Sequence, residues 1–325
     1  MFSWTEFPRR RGERSTVPLS LSAGSTELAL RHYPPTQNLP DDAGGPRPRL
    51  LLIHGFRGDH HGMQLIVDAL PEYEIFAPDL PGFGETPPLS CGGRRAEHSL
   101  GAFAAAVEAL ADALGLGAAD VVAGHSFGSI VVAAHLAGSA PADSAGHRGA
   151  RRWAAAALLS PLSDDIFRRA QLLPGAAGVE LYYRFCGVLP EKWGDRALRS
   201  RAALAVTNLS MIVSRAPELK SFIRDQHRRH FGSYADRQTL LEAYRASSRH
   251  TVTAYAGALD LPTLLVTGAQ DQLSTLAGRR VLCAAVPGAE GSGAQLEVIR
   301  GTGHLLHYEK PAQSARALRR FLRQL

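Results

Sequence analysis

The stretch Val121-Val122-Ala123-Gly124-His125-Ser126-Phe127-Gly128, continuing into Ser129-Ile130-Val131-Val132-Ala133-Ala134, decides the fold. Its opening apolar, β-branched run has the character of a buried parallel strand, whereas the residues after it follow a helical period. Ser126 therefore falls on the turn between strand and helix. So sharp a turn admits only small neighbours, which accounts for glycine at 124 and 128. It also lifts the serine hydroxyl out of the sheet at a helix N-terminus, where backbone N–H groups and the helix dipole favour negative charge. With 32 glycines among 325 residues, a bare Gly-x-Ser-x-Gly match is a weak signal, so the rest of the chain must supply the meaning of Ser126.

On both sides of this stretch, short apolar runs alternate with helical segments. The runs are Leu50–Ile53, 73–77, 121–122 and 154–159, with helices expected near 60–70, 99–115 and 128–138. That rhythm predicts a mostly parallel sheet flanked by helices. Upstream, residues 16–21 and 27–33 flank Ala23-Gly24-Ser25 and predict an antiparallel hairpin at the sheet's edge, followed by a surface loop over 34–48. The alternation stops at Ser160-Pro161 and resumes at 262–267, with a helix near 274–286, a strand at 296–299 and a final helix from about 311. The interval 161–255 is rich in helix formers and aromatics. Its apolar positions at Leu204, Leu209, Ile212 and Val213 predict amphipathic helices lying on the top of the sheet. The expected organisation is thus a core of residues 1–160 and 256–325 with a helical cap inserted at 161–255.

Composition bounds the function. A hydrophobic content of 45% supports a large core and excludes a disordered chain. Arg9-Arg10-Arg11 is followed by polar residues rather than an apolar signal segment, and no apolar run is long enough to span a membrane. A soluble, unexported, cytoplasmic protein is the expectation. Cys91, Cys186 and Cys283 have neither zinc spacing nor an even count, which suits inert thiols in a reducing compartment. The formal charge of +6 invites a nucleic-acid reading, but its excess lies in 161–255, with fifteen Lys and Arg against nine Asp and Glu. No nucleic-acid-binding motif accompanies it, so the charges read as solvated helix faces. A sharper alternative is that they attract an anionic substrate.

Serine needs a positioned base, and that base needs an orienting acid. The run 264–267 is followed by Gly268-Ala269-Gln270-Asp271, and the run 296–299 by Arg300-Gly301-Thr302-Gly303-His304. Both Asp271 and His304 thereby leave the carboxyl end of a strand, as Ser126 does, and catalytic groups of such sheets gather there. The order Ser, Asp, His is that of the α/β-hydrolase arrangement. Two fixed donors are also needed for an oxyanion. The backbone N–H of Phe127 is one candidate, and that of Phe56, in His54-Gly55-Phe56-Arg57-Gly58 after the first parallel strand, is the other. His54 begins that turn and is expected to serve through its backbone.

These pieces together resemble an α/β-hydrolase fold enzyme with a cap, of the lipase and esterase type. The resemblance rests on His54-Gly55-Phe56, Asp79-Leu80-Pro81-Gly82-Phe83-Gly84, Gly124-His125-Ser126-Phe127-Gly128, Asp271, and Gly303-His304 followed by Glu309-Lys310-Pro311. It covers the chain from about residue 49 to the end and leaves the cap unmatched. It implies a serine hydrolase acting on a small-molecule ester or acyl substrate without a cofactor, and a structural role for Asp79. Asp59, Asp164 and Asp165 rank below Asp271 as triad acids, because none follows the last-but-one strand. Dehalogenases and epoxide hydrolases of similar fold carry Asp where this chain has Ser126. Carbon–carbon bond hydrolases commonly carry Trp after the histidine, where this chain has Leu305; cofactor-free haloperoxidases share the triad. A non-catalytic relative would typically have lost a triad member.

Metal-dependent hydrolysis is suggested by Asp59-His60-His61. The metallo-β-lactamase pattern His-x-His-x-Asp-His would place histidines at 55 and 57, where this chain has Gly55 and Arg57. Solvated polar histidines and no metal site are therefore expected. For substrate contacts, the aromatics Tyr182, Tyr183 and Phe185 of the cap are candidates for an apolar pocket, and Arg57 for its charged mouth.

Overall fold

The apolar runs pair side by side. In the computed structural model, which describes residues 7–37, 47–138, 152–168, 173–288 and 293–325, they form a mostly parallel sheet. Its strands are β1 (Glu13–Leu21), β2 (Gly24–Tyr33), β3 (Leu50–Ile53), β4 (Ile75–Pro78), β5 (Ser90–Cys91), β6 (Arg94–Arg95), β7 (Val121–His125), β8 (Ala155–Leu159), β9 (Thr263–Gly268) and β10 (Ala294–Ile299). The order is β10-β9-β8-β7-β3-β4-β2-β5-β6, with β1 paired on β2. From β10 to β4 all neighbours are parallel, and the hairpin of β1 and β2 joins antiparallel. The hairpin turns tighter than its sequence implies, at Ser22-Ala23, because Gly24 takes a φ of +142° and enters β2 at once. The two-residue strands β5 and β6 carry too little pattern to be read beforehand.

Side chains of the central strands alternate between two buried layers, as a two-residue period requires. Leu51, Ile53, Val122, Leu158 and Leu265 face one layer, which contains Phe103 and Val107 of α2 (Leu100–Ala113) and Ile130 of α3 (Phe127–Gly138). Leu50, Leu52, Val121, Ala123, Leu264 and Val266 face the other, with Ile66 and Val67 nearby and Leu318 and Phe321 of the C-terminal helix Pro311–Leu322. The helix expected near 60–70 is a 3-10 turn, His60–Met63, running into α1 (Gln64–Asp68). Register places Ile53 beside Gly124, His125 beside Leu159, Leu159 beside Val266, and Gly268 beside Ile299. The carboxyl ends of β3, β7, β8, β9 and β10 thus share one edge, and the loops leaving them converge.

Between β8 and β9 lies a helical insert: α4 (Leu173–Val188), α5 (Glu191–Leu198), α6 (Arg201–Met211), α7 (Pro217–His230) and α8 (Arg237–Ser248). It is seated on the turn after β4. Gly84 N–H donates to the Ser233 carbonyl at 2.6 Å and Ala235 N–H to the Gly82 carbonyl at 2.9 Å. Gly82 has a φ of +79° and a Cβ there would run into Thr239, so close approach of α8 requires glycine. Asp79 stays structural: it accepts from His60 N–H at 2.7 Å, His60 Nδ1 at 2.8 Å and Glu85 N–H at 2.9 Å. The apolar face expected on α6 is only partly laid down. None of its residues is buried and Leu209 is 85% exposed, because the helix rims a cleft rather than resting on the sheet.

Candidate active site

The strand-to-helix turn after β7 has the strain that its sequence implies. Ser126 sits at φ +54°, a left-handed conformation uncommon for a side chain larger than glycine's and tolerated where the surroundings impose it. A Cβ on Gly124 would strike the Gly128 carbonyl, and one on Gly128 would strike the carbonyls of Ile53 and His54. The elbow is therefore clamped between β7, α3 and the end of β3.

His304 reaches Ser126 across the converging loops: its Nε2 lies 2.7 Å from Ser126 Oγ, and its Nδ1 lies 3.1 Å from both oxygens of Asp271. Asp271 is in turn held by the N–H groups of Leu273 (2.8 Å) and Ser274 (3.2 Å). Burial would raise the Asp271 carboxyl, but the charge and hydrogen bond of His304, the Leu273 N–H and the Arg279 charge outweigh it and keep it below the usual range. It is an anion that holds the Nδ1 proton of His304, leaving Nε2 free to accept from serine. The His304 carbonyl accepts from Ser160 Oγ at 2.9 Å and from His125 Nε2 at 3.2 Å. All three sequence-derived candidates thus meet.

The loop 54–58 lies against the elbow. His54 Nε2 accepts from Leu80 N–H at 2.9 Å, which puts its proton on Nδ1, 2.8 Å from the Gly55 carbonyl. Its ring braces the turn and is turned away from proton transfer with Ser126, as expected. A Cβ on Gly55 would lie 3.0 Å from His125 Nδ1 and 3.2 Å from Ser126 Cβ, so a larger residue there would crowd the serine and its neighbour. Phe56 follows on that loop, and Phe127 is the first residue of α3, where an N–H has no preceding helical turn to bond.

The four expected substrate contacts are corrected by the structure. Arg57 is buried, at φ +60°; its guanidinium donates to the carbonyls of Leu198 (2.7 Å) and Phe231 (3.3 Å) and to Tyr183 Oη (3.3 Å). It anchors the insert instead of facing the cleft mouth. Tyr183 is stacked on Tyr244 at 4.0 Å, Tyr182 donates to the Ala197 carbonyl at 2.8 Å, and Phe185 is 56% exposed. None of these four side chains lines the cleft.

The cleft over Ser126 encloses about 850 Å³, its open mouth included. Phe56, Met63, Leu162, Met211, Leu273 and Tyr308 give it apolar walls; between them stand His125, His227, His230 and His307. Sequence reading missed these imidazoles, since no local pattern marks them. Burial lowers the basicity of His125 to about 3 and of His227 to about 4, and His307 is pushed well down by the same cause. These three imidazoles are therefore uncharged at neutral pH. Glu309, quoted earlier without a role, accepts from four donors: Val213 N–H and Ser214 N–H at 2.7 Å, Thr302 Oγ1 at 2.7 Å and Gly303 N–H at 3.2 Å. It ties the insert to the loop that carries His304. Asp164, set aside as a triad acid, accepts from Thr275 N–H at 2.6 Å at the start of the helix Leu276–Ala285; Asp165 accepts from Phe167 N–H at 3.0 Å on the surface.

The histidines near residue 60 also differ from expectation. Asp59 and His60 are buried, and α7 brings His230 to them: His61 Nδ1 lies 3.1 Å and His230 Nδ1 3.6 Å from oxygens of Asp59. A third partner that sequence spacing could not reveal is thus present. The three cysteines are free thiols, and among the described residues no helix is long and apolar enough to cross a membrane.

Comparison with known protein families matches residues 48–311 to the alpha/beta hydrolase fold. Among curated proteins, Lipase 3 of Moraxella sp. (strain TA144) is 30% identical over 133 residues, which is 41% of this chain and 38% of that protein. Monoacylglycerol lipase abhd6-A of Xenopus laevis is 29% identical over 89 residues, 27% of this chain and 25% of that one. The chain thus matches well under half of the length of either relative. Among solved structures, a thermophilic esterase from Thermogutta terrifontis, with malate bound, superposes with a TM-score of 0.65 at 22% identity over 96% of this chain and 98% of that one. At that identity the likeness is one of fold.

Proposed function

The chain belongs to the α/β-hydrolase fold family, and on that premise we propose that it is a serine hydrolase cleaving a carboxylic ester, or a related acyl bond, of a small and partly apolar substrate. The observation that carries this reading is the unbroken relay from Ser126 through His304 to Asp271, at 2.7 and 3.1 Å. Ser126 Oγ attacks the acyl carbon while His304 Nε2 takes its proton, and Asp271 stabilises the imidazolium. The N–H groups of Phe56 and Phe127 receive the developing oxyanion. His304 then gives its proton to the departing alcohol, and water repeats the sequence on the acyl-enzyme to release the acid. The apolar walls suit an acyl or aryl group, and the lipases and the esterase among the relatives favour an ester over other acyl bonds.

Labelling with a fluorophosphonate probe tests the assignment. The parent protein should react at Ser126 and turn over p-nitrophenyl esters, and Ser126→Ala should lose both properties. Ester turnover that survives in purified Ser126→Ala would overturn the reading.

A further inference from the structure

Asp59 leaves the loop after β3 and caps the 3-10 turn, its carboxylate fixed by the His61 N–H at 2.9 Å. His61 lies two residues on, within that 3-10 turn, and His230 is the last residue of α7, contributed by the insert. One ligand atom from each of these residues lies within 4.8 Å of the other two. A tetrahedral ion with bonds of about 2.0–2.1 Å sets its ligand atoms about 3.3–3.4 Å apart. His61 Nδ1 lies 3.1 Å from Asp59 Oδ1 and His230 Nδ1 3.6 Å from Asp59 Oδ2, so both imidazoles come close to that spacing from one or other oxygen of the carboxylate, and the second contact is too long for a good hydrogen bond. The two imidazole rings are stacked at 3.9 Å with 21° between their planes, so both present Nδ1 toward the same carboxylate.

The neighbour His60 is not available. Its Nε2 accepts from Arg31 Nε at 3.2 Å and its Nδ1 is engaged by Asp79 at 2.8 Å, so it serves as a wall against which His61 packs at 4.0 Å. The side chains of His61 and His230 are 28% and 23% exposed, which leaves an ion a route from solvent.

We propose that Asp59, His61 and His230 form a binding site for one divalent transition-metal ion, of the zinc and cobalt type, which fastens the C-terminal end of α7 to the loop after β3. Two imidazoles and one carboxylate select such ions over magnesium or calcium, which prefer all-oxygen sites. The ion takes the place of the hydrogens that now face Asp59, and each neutral imidazole carries its proton on Nε2 instead. Asp59 and His230 both border the cleft over Ser126, so an ion there pins one wall of the cleft without entering the serine relay.

The test begins with full-length protein stripped by EDTA and titrated with cobalt(II), whose visible bands report tetrahedral coordination. One equivalent should bind with those bands. Zinc at about 100 times its dissociation constant should raise the melting temperature by roughly 5 °C. His61→Gln and His230→Gln alter partly exposed side chains, and melting of each metal-free variant verifies its fold. Each variant should lose the bands, bind at least about tenfold more weakly and show no zinc-dependent rise in melting temperature. Failure of the parent to bind, or retention of the bands in either variant, overturns the proposal. Because the readouts are spectral and thermal, neither result depends on whether the protein cleaves esters.

Discussion

At the scale of single residues, Asp271 shows how little freedom the relay leaves. Its Oδ1 already accepts two backbone N–H groups, so an asparagine in its place would set its carbonyl oxygen there and turn its NH₂ toward His304. His304 would then carry its proton on Nε2, facing Ser126, and lose its capacity as a base. Asp271→Asn should therefore reduce kcat by about 10⁴ with little change in KM and no loss of fold, measured on a p-nitrophenyl ester. A reduction below tenfold would remove Asp271 from the relay. Glu309 supports a second prediction. As a carboxylate it satisfies four donors, whereas Glu309→Gln would point an NH₂ at donors and leave a buried mismatch. A loss of about 2–4 kcal/mol in urea unfolding is expected, accompanied by a lower kcat because the loop bearing His304 is loosened. Unchanged stability would show that the Val213 and Thr302 contacts are inessential.

At the scale of elements, the loops after β3, β7, β9 and β10 were legible because each follows a short apolar run whose end is marked in the local sequence. Register then carries Ser126, Asp271 and His304 to one edge, and no long-range information is needed to order them. The insert obeys a different logic. Arg57 meets Leu198 and Phe231, and Asp59 meets His230, only after whole helices have landed, and no spacing in the sequence encodes where they land. Helical periodicity gave 161–255 as a helical insert, without resolving its individual helices, but misjudged Leu209, since an apolar residue on a helix is buried only if something covers it. Arg57 accordingly belongs to the joint between core and insert. Arg57→Ala would leave the buried Leu198 carbonyl, the half-buried Phe231 carbonyl and the Tyr183 hydroxyl without their donor, at a cost of about 2–4 kcal/mol. The ratio of kcat/KM for an anionic and a neutral ester of equal size should stay as in the parent, with parallel salt responses. A selective loss of the anionic ester would return Arg57 to the cleft mouth.

At the scale of the whole molecule, the buried imidazoles couple stability to pH. Burial lowers the basicity of His54, His125, His227 and His307, with His125 near 3 and His227 near 4. In the unfolded chain each would protonate near pH 6.5. Between about 6.5 and 4 the unfolded state therefore binds more protons than the folded one, and stability rises with pH. Read downward, the stabilisation is complete above pH 6.5 and is lost as the pH falls toward the folded values. Once the unfolded histidines are charged, each contributes a slope of about 1.4 kcal/mol per pH unit. His125 and His227 alone thus remove about 5 kcal/mol or more by pH 4.5, comparable to the whole stability of many domains. The lowered carboxyls of Asp271 and Asp59 act in the same direction, but mainly below the unfolded carboxyl range near pH 4, so the two contributions separate on the pH axis. Urea unfolding at pH 7.5, 6.5, 5.5 and 4.8 should show a flat upper limb and a steepening fall below 6.5. His227→Gln keeps a donor for Asn208, which now lies 2.6 Å from His227 Nδ1, and should make that fall shallower by about 1.4 kcal/mol per unit. A stability profile flat from pH 7.5 to 5, or a His227→Gln slope identical to the parent's, would mean that these imidazoles take up protons in the folded state as readily as in the unfolded chain.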